Sequence, residues 1–162
     1  MSKAEKLPLG TKLVIFSLVP LSQILLYFAT AEQLSNKELM TLKDSLQLSA
    51  TQLTIFQLVI VLSYSLISFG LMYLVGSFIL NFSNKKNSEA LFISLVLAIG
   101  IANSLALIVV NLFGMVLPWL PACCQLVIVT FSYYKLSGKD KSGSLFLLGL
   151  MLVFNLGPVF FL

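Results

Sequence analysis

The sequence predicts an all-α, polytopic membrane protein, a single-domain bundle of five transmembrane helices whose second helix extends outside the bilayer. Three observations carry this reading. Of the 162 residues, 59% are hydrophobic and 10% charged, against about 25% charged in soluble proteins, so the apolar excess needs lipid as its solvent. Long uncharged runs occupy 13–31, 45–84, 90–134 and 142–162, each near or beyond the roughly 20 residues a helix needs to cross the hydrocarbon core. The lysines fall between those runs and alternate in density from one gap to the next.

The first span is expected at 13–31. Lys3, Lys6 and Lys12 precede it and Ala29-Thr30-Ala31 resembles a signal-peptidase site, so processing of residues 1–31 stands as an alternative. The run is long for a signal core, which favours a retained helix. Pro20 lies in its middle, removes one backbone hydrogen bond and predicts a kink. Residues 32–52 carry Glu32, Lys37, Glu38, Lys43 and Asp44 and therefore leave the hydrocarbon. Ser35 and Glu38 fit a capping box, and Leu39, Leu42, Leu46 and Leu53 follow at near-helical spacing with no intervening Gly or Pro. The second helix is expected to start near Asn36, to extend outside the bilayer over 36–53, and to run unbroken into its span at 54–81.

Asn81-Phe-Ser-Asn-Lys-Lys-Asn-Ser88 supplies a tight loop, and the third span follows at 89–112. Gly114, Pro118 and Pro121 divide the long third run and leave a fourth span at 119–135, with Pro118 and Pro121 in the turn and first turn, Trp119 as an interfacial anchor, and Tyr133-Tyr134-Lys135 at the far end. A polar loop to Gly143 precedes the fifth span at 144–162.

With the amino terminus in the cytoplasm, inner segments hold Lys3, Lys6, Lys12, Lys85, Lys86, Lys135, Lys139 and Lys141, and outer segments hold Lys37 and Lys43. Eight lysines against two orient the chain with its amino terminus cytoplasmic and its carboxyl terminus exoplasmic. All ten basic residues are lysine and histidine is absent, a bias that points to a bacterial cytoplasmic membrane. It also narrows the chemistry. Without histidine, the usual general base and metal ligand are missing. Without arginine, no bidentate clamp exists for phosphate, so nucleic-acid and nucleotide partners are not expected despite a net charge of +4. No Ser-His-Asp set, HExxH, GxSxG or phosphate loop occurs. We expect no enzyme, no cofactor and no metal site.

Two patterns are left. Ser94, Ala98, Ala102 and Ala106 recur at steps of four along the third span, and small residues at that spacing let two helix backbones approach closely. The partner backbone belongs either to the same chain or to another membrane protein or second copy. Neutral polar residues inside the spans form the second pattern: Gln57, Asn103, Asn111, Gln125 and Asn155 either bond across helices or line a polar pocket. The adjacent thiols Cys123 and Cys124 point about 100° apart on a helix and are read as packing residues, not as a dithiol or acylation site.

Residues 54–162 resemble the Yip1 family of five-span membrane proteins. The likeness lies in Ser68-Phe-Gly-Leu-Met-Tyr-Leu-Val-Gly76, the lysine loop before the third span, and Tyr133-Tyr-Lys-Leu-Ser-Gly-Lys-Asp-Lys-Ser142. The chain departs from that pattern in lacking a proline near Ala98-Ile-Gly-Ile101. The resemblance implies a fold, and the short head before the first span is not expected to carry the small-GTPase binding of eukaryotic members. The expected role is non-enzymatic, as a membrane-embedded interaction or organising protein or an accessory subunit of a larger complex. The alternative is a transport component for a lipid or other amphiphile without its own ion coupling, which requires the five amides to converge on one accessible cavity.

Overall fold

Proline decides the shape of the first helical rod. Helix α1 (Leu9–Phe16) and helix α2 (Leu18–Ala31) are separated at Ser17, one turn before Pro20. The ring offers no N–H to the carbonyl four residues earlier, Phe16, and crowds it, so the regular helix is interrupted upstream of the proline itself. The Ser17 hydroxyl donates to the Val14 carbonyl at 2.7 Å. Backbone bonds from Ser17 to Leu13 (3.0 Å) and from Leu21 to Ser17 (3.2 Å) carry the chain across the break.

The computed structural model describes residues 7–31, 45, 47, 49–82 and 87–156, and every regular element among them is helical. Helix α3 (Ala50–Ile79) ends in a 3-10 turn, Leu80–Phe82. It does not continue upstream as the leucine spacing suggested. Ser49 is extended (φ −68°, ψ 161°) and Gln47 is left-handed (φ 51°). The reason is a capping box nearer the span. Ser49 Oγ accepts from the Gln52 N–H at 3.3 Å and Gln52 Oε1 accepts from the Ser49 N–H at 2.9 Å, which satisfies the free donors of a helix start and competes with continuation. The proposed box at Ser35 and Glu38 and the extension over 36–44 lie outside the described residues.

Helix α4 (Ser88–Phe113) begins at Asn87, whose side chain accepts from the Ala90 N–H at 3.0 Å, with Glu89 favourably placed in the first turn. It ends at Gly114, whose left-handed backbone (φ 62°) lets its N–H reach the Val110 carbonyl at 2.9 Å. Helix α5 (Trp119–Leu136) starts after Pro118 with Pro121 in its first turn, as the two prolines predicted. Helix α6 (Lys141–Met151) is capped by Asp140, which accepts from the Gly143 N–H at 3.1 Å, and passes into a π-helical turn at Leu152–Leu156. The remainder of the expected fifth span lies outside the described residues.

Three stretches, Leu9–Ala31, Ala50–Phe82 and Ser88–Phe113, are long and apolar enough to cross a bilayer; they mark a membrane protein. Helix α4 is its centre. Half of its most apolar window is buried, against 6% and 17% for the other two, and it packs on α2, α5 and α3, while α6 packs on α5. Its small-residue row accounts for this. Ser94, Ala98, Ala102 and Ala106 are at most 5% exposed, so the row is used for packing inside one chain and is not free to meet a second copy. A flanking edge, Leu97, Ile101, Leu105, Ile108 and Leu112, is exposed.

At one end of the bundle Phe16, Phe69, Tyr73 and Phe92 lock α1, α3 and α4 together, with Phe16 edge-on to Phe69 at 4.8 Å and Phe92 edge-on to Phe69 at 5.8 Å. Lys12 on α1 pairs with Glu89 on α4 beside them. The carboxylate side is only 15% exposed and its second oxygen has no partner among the described residues. Removing the ammonium strands a nearly dry charge. Lys12→Met alone is therefore expected to cost about 1–2 kcal/mol, discounted for the partial exposure, and Lys12→Met with Glu89→Gln is expected to recover most of it. Thermal unfolding of both variants in one detergent measures the difference, and equal losses would show that the pair is uncoupled.

Candidate functional site

The five amides singled out in the sequence do not share one space. Asn111 donates to the Leu107 carbonyl of its own helix at 2.9 Å and is exposed. Gln57 is half-buried on α3 and lines none of the cavities described below. The side chain of Asn155 lies outside the described residues. Asn103 and Gln125 do face internal space, but different cavities.

The larger of these, about 440 Å³, lies between three helices and the proline corner. Helix α2 contributes Gln23, Tyr27 and Thr30, α3 contributes Ile60, Val61 and Tyr64, α4 contributes Asn103, Ala106 and Val110, and Leu117, Pro118 and Pro121 close the end. A neighbouring cavity of about 310 Å³ is lined by Ser68, Met72, Ile99 and Gln125, and shares Gln23, Tyr64, Pro118 and Pro121 with the first. The space exists because α4 presents alanine at position 106 while the Pro118 and Pro121 rings hold the start of α5 in a fixed corner. Such volumes are ordinary for small-molecule sites.

Polar chemistry concentrates at the deep end. Asn103, only 4% exposed, donates through Nδ2 to Ser22 Oγ at 3.2 Å, and the Ser22 hydroxyl donates to the Val19 carbonyl at 3.0 Å. This relay ties α4 to α2. Gln23, one residue further along α2, has a buried Oε1 with no partner among the described residues. Thr30 donates to the Leu26 and Tyr27 carbonyls at 2.9 and 3.0 Å. No Asp, Glu, Lys, Arg or His lines either cavity, and among the described residues no group of three or more His, Cys, Asp or Glu could hold a metal ion. The arrangement suits an uncharged, largely apolar molecule.

Gln23 falls outside the five amides singled out in the sequence, and the Lys12 pair with Glu89 was not anticipated there. The available signal was positional: Ser22 and Gln23 fall two and three residues after Pro20. Cys123 and Cys124 are free thiols, the first exposed and the second partly buried, so Cys123 is not the packing residue the sequence suggested, and neither lines these cavities. Replacing both with alanine is expected to leave the unfolding temperature within about 2 °C of the parent, because exposed-surface changes usually stay within ~0.5 kcal/mol; a larger fall would assign Cys124 a packing role. Compared with known protein families, with characterised proteins and with solved structures, the chain matches none.

Proposed function

We propose that this is a non-enzymatic five-span protein of a bacterial cytoplasmic membrane, amino terminus inside and carboxyl terminus outside, acting as an interaction or organising protein or as an accessory subunit of a larger complex. Helices α5 and α6 complete the five spans: α5 is 18 residues long, about 27 Å, with Trp119 at one end and Tyr133, Tyr134 and Lys135 at the other. The Yip1-like resemblance implies the same bundle. The pairing of Lys12 with Glu89 supports the orientation, since both belong at the lysine-rich end.

One observation carries the interaction reading. Helix α3 buries Val61, Ser65, Phe69 and Gly76 along one stripe and exposes another face, on which the polar Ser63 and Tyr64 stand among Ile60, Ile67, Leu71 and Leu74. Lipid solvates the leucines and isoleucines but not the hydroxyls, which at membrane depth gain from a partner helix. A photo-crosslinking residue at Ser63 or Ile67 in native membranes is expected to trap one discrete protein adduct, whereas the same residue at Leu97 traps lipid. Lipid adducts alone at all three positions would defeat the reading.

The cavity favours a second role, the handling of a lipid or other amphiphile without ion coupling. It does so through Gln23 and Asn103, not through the five-amide set.

A further inference from the structure

Resting on the amphiphile reading, we infer that the cavity between α2, α3 and α4 binds a neutral, membrane-dissolved alcohol, an apolar body carrying one hydroxyl that meets Gln23. Size, charge and hydrogen-bonding capacity converge on this class. A volume of about 440 Å³ holds on the order of fifteen water-sized groups at ~30 Å³ each, the size of one medium-length chain and too small for a two-chain phospholipid. The lining residues carry no charge, so nothing would offset the desolvation of a phosphate or carboxylate drawn inside.

Gln23 defines the polar group. Its Oε1 is buried and has no partner among the described residues, an arrangement that folded proteins avoid unless something else supplies the bond. The amide and aliphatic hydroxyl donors beside it are committed, Asn103 to Ser22, Ser22 to Val19, and Thr30 to Leu26 and Tyr27, and the Tyr27 and Tyr64 hydroxyls complete the polar lining. A hydroxyl both donates and accepts, so it satisfies the amide in either orientation of its oxygen and nitrogen.

The geometry also sets the direction of binding. Gln23 lies seven residues below Thr30 on α2 and Asn103 seven below Val110 on α4, about 10 Å deeper in each case at 1.5 Å per residue. The hydroxyl therefore sits deep and the apolar body lies toward Leu117 and Pro118. Only an uncharged headgroup can make that descent through hydrocarbon. Ile60 and Tyr64 are 50% and 66% exposed, so the wall opens sideways, the direction from which a membrane-dissolved molecule arrives.

Full-length protein in phosphatidylcholine nanodiscs, photolabelled with diazirine-bearing dodecanol and mapped by mass spectrometry, tests this. Saturable labelling of residues 23–30 and 106–121 is expected, displaced by dodecanol but not by tenfold more dodecane or dodecanoate. Gln23→Leu is expected to weaken binding about tenfold, the loss of one buried hydrogen bond. Ile60→Trp, a change at a half-exposed wall position that leaves the core intact, is expected to block it. Equal displacement by dodecane or dodecanoate, non-saturable labelling, or unchanged affinity in Gln23→Leu would each overturn the inference. Saturable, Gln23-dependent binding without alcohol flux across vesicles would uphold the site and remove transport from the second reading, and the Ser63 crosslink tests the interaction reading independently of either result.

Discussion

Gly143→Ala is expected to cost about 2–4 kcal/mol and to loosen the junction of α5 and α6. A methyl group at this position would lie 2.9 Å from Tyr133 Cε1 and 3.0 Å from Leu80 Cδ2, and would press on the Asp140 carboxylate. Tyr133 and Leu80 are both fully buried, so neither has free space to retreat into. The carboxylate is itself the cap of α6, accepting from the Gly143 N–H at 3.1 Å, and Ser144 adds a 2.7 Å bond from its hydroxyl to the Asp140 carbonyl. Overpacking contributes about 1–3 kcal/mol and loss of the cap about 1 more. Gly149, on the same helix with nothing within 4 Å of an added methyl, is the control. Gly149→Ala is expected to be neutral or to stabilise by up to ~1 kcal/mol through helix propensity. Thermal unfolding in a single detergent compares the two, and equal behaviour would refute the close packing of Gly143.

Ala102→Leu is expected to be at least as damaging, at about 3 kcal/mol or more. Ala102 is fully buried at the middle of the row formed by Ser94, Ala98 and Ala106, where α4 meets its neighbours. Three added carbons must push α2 or α5 away, and the lost backbone contacts are not repaid by a hydrophobic gain, because lipid already solvates leucine. The same movement would strain the Asn103 bond to Ser22. Ile101→Ala, one position along but 44% exposed, is expected to change stability by less than ~0.5 kcal/mol. Limited proteolysis of detergent-solubilised variants, read beside their unfolding temperatures, reports whether α4 has separated; resistance equal to the parent in Ala102→Leu would show that the row tolerates volume and does not set the helix spacing.

Legibility in the sequence followed from how local the deciding interaction was. Pro20, Gly114, Pro118 and Pro121 act through their own backbone geometry, so an interruption of the first rod, the end of α4 and the start of α5 were readable from single residues. The start of α3 was not, because the leucine-rich stretch carries two capping-box sequence patterns, of which only Ser49 and Gln52 lie within the described residues. The polar pocket was harder still. Gln57 and Gln23 are alike as intramembrane amides, and nothing local tells that one is peripheral and the other stands at the wall of two cavities.

That difference has a physical origin in the solvent. In water, the apolar stripe of a helix reveals its inner face; in lipid, both the bundle interior and the surroundings accept leucine, and the stripe disappears. Composition and the spacing of apolar runs thus determined from sequence alone that the chain is helical and membrane-embedded, and the steps of four in α4 marked its packing row. Only the tertiary structure decided that this row is consumed within the chain, that Lys12 meets Glu89 across 77 positions of sequence, and that Gln23 and Asn103 share a cavity. Each of those depends on how α2, α3 and α5 are rotated about α4, and rotation in an apolar solvent is set by small residues and hydrogen bonds between helices, which leave no periodic signature in a single helix.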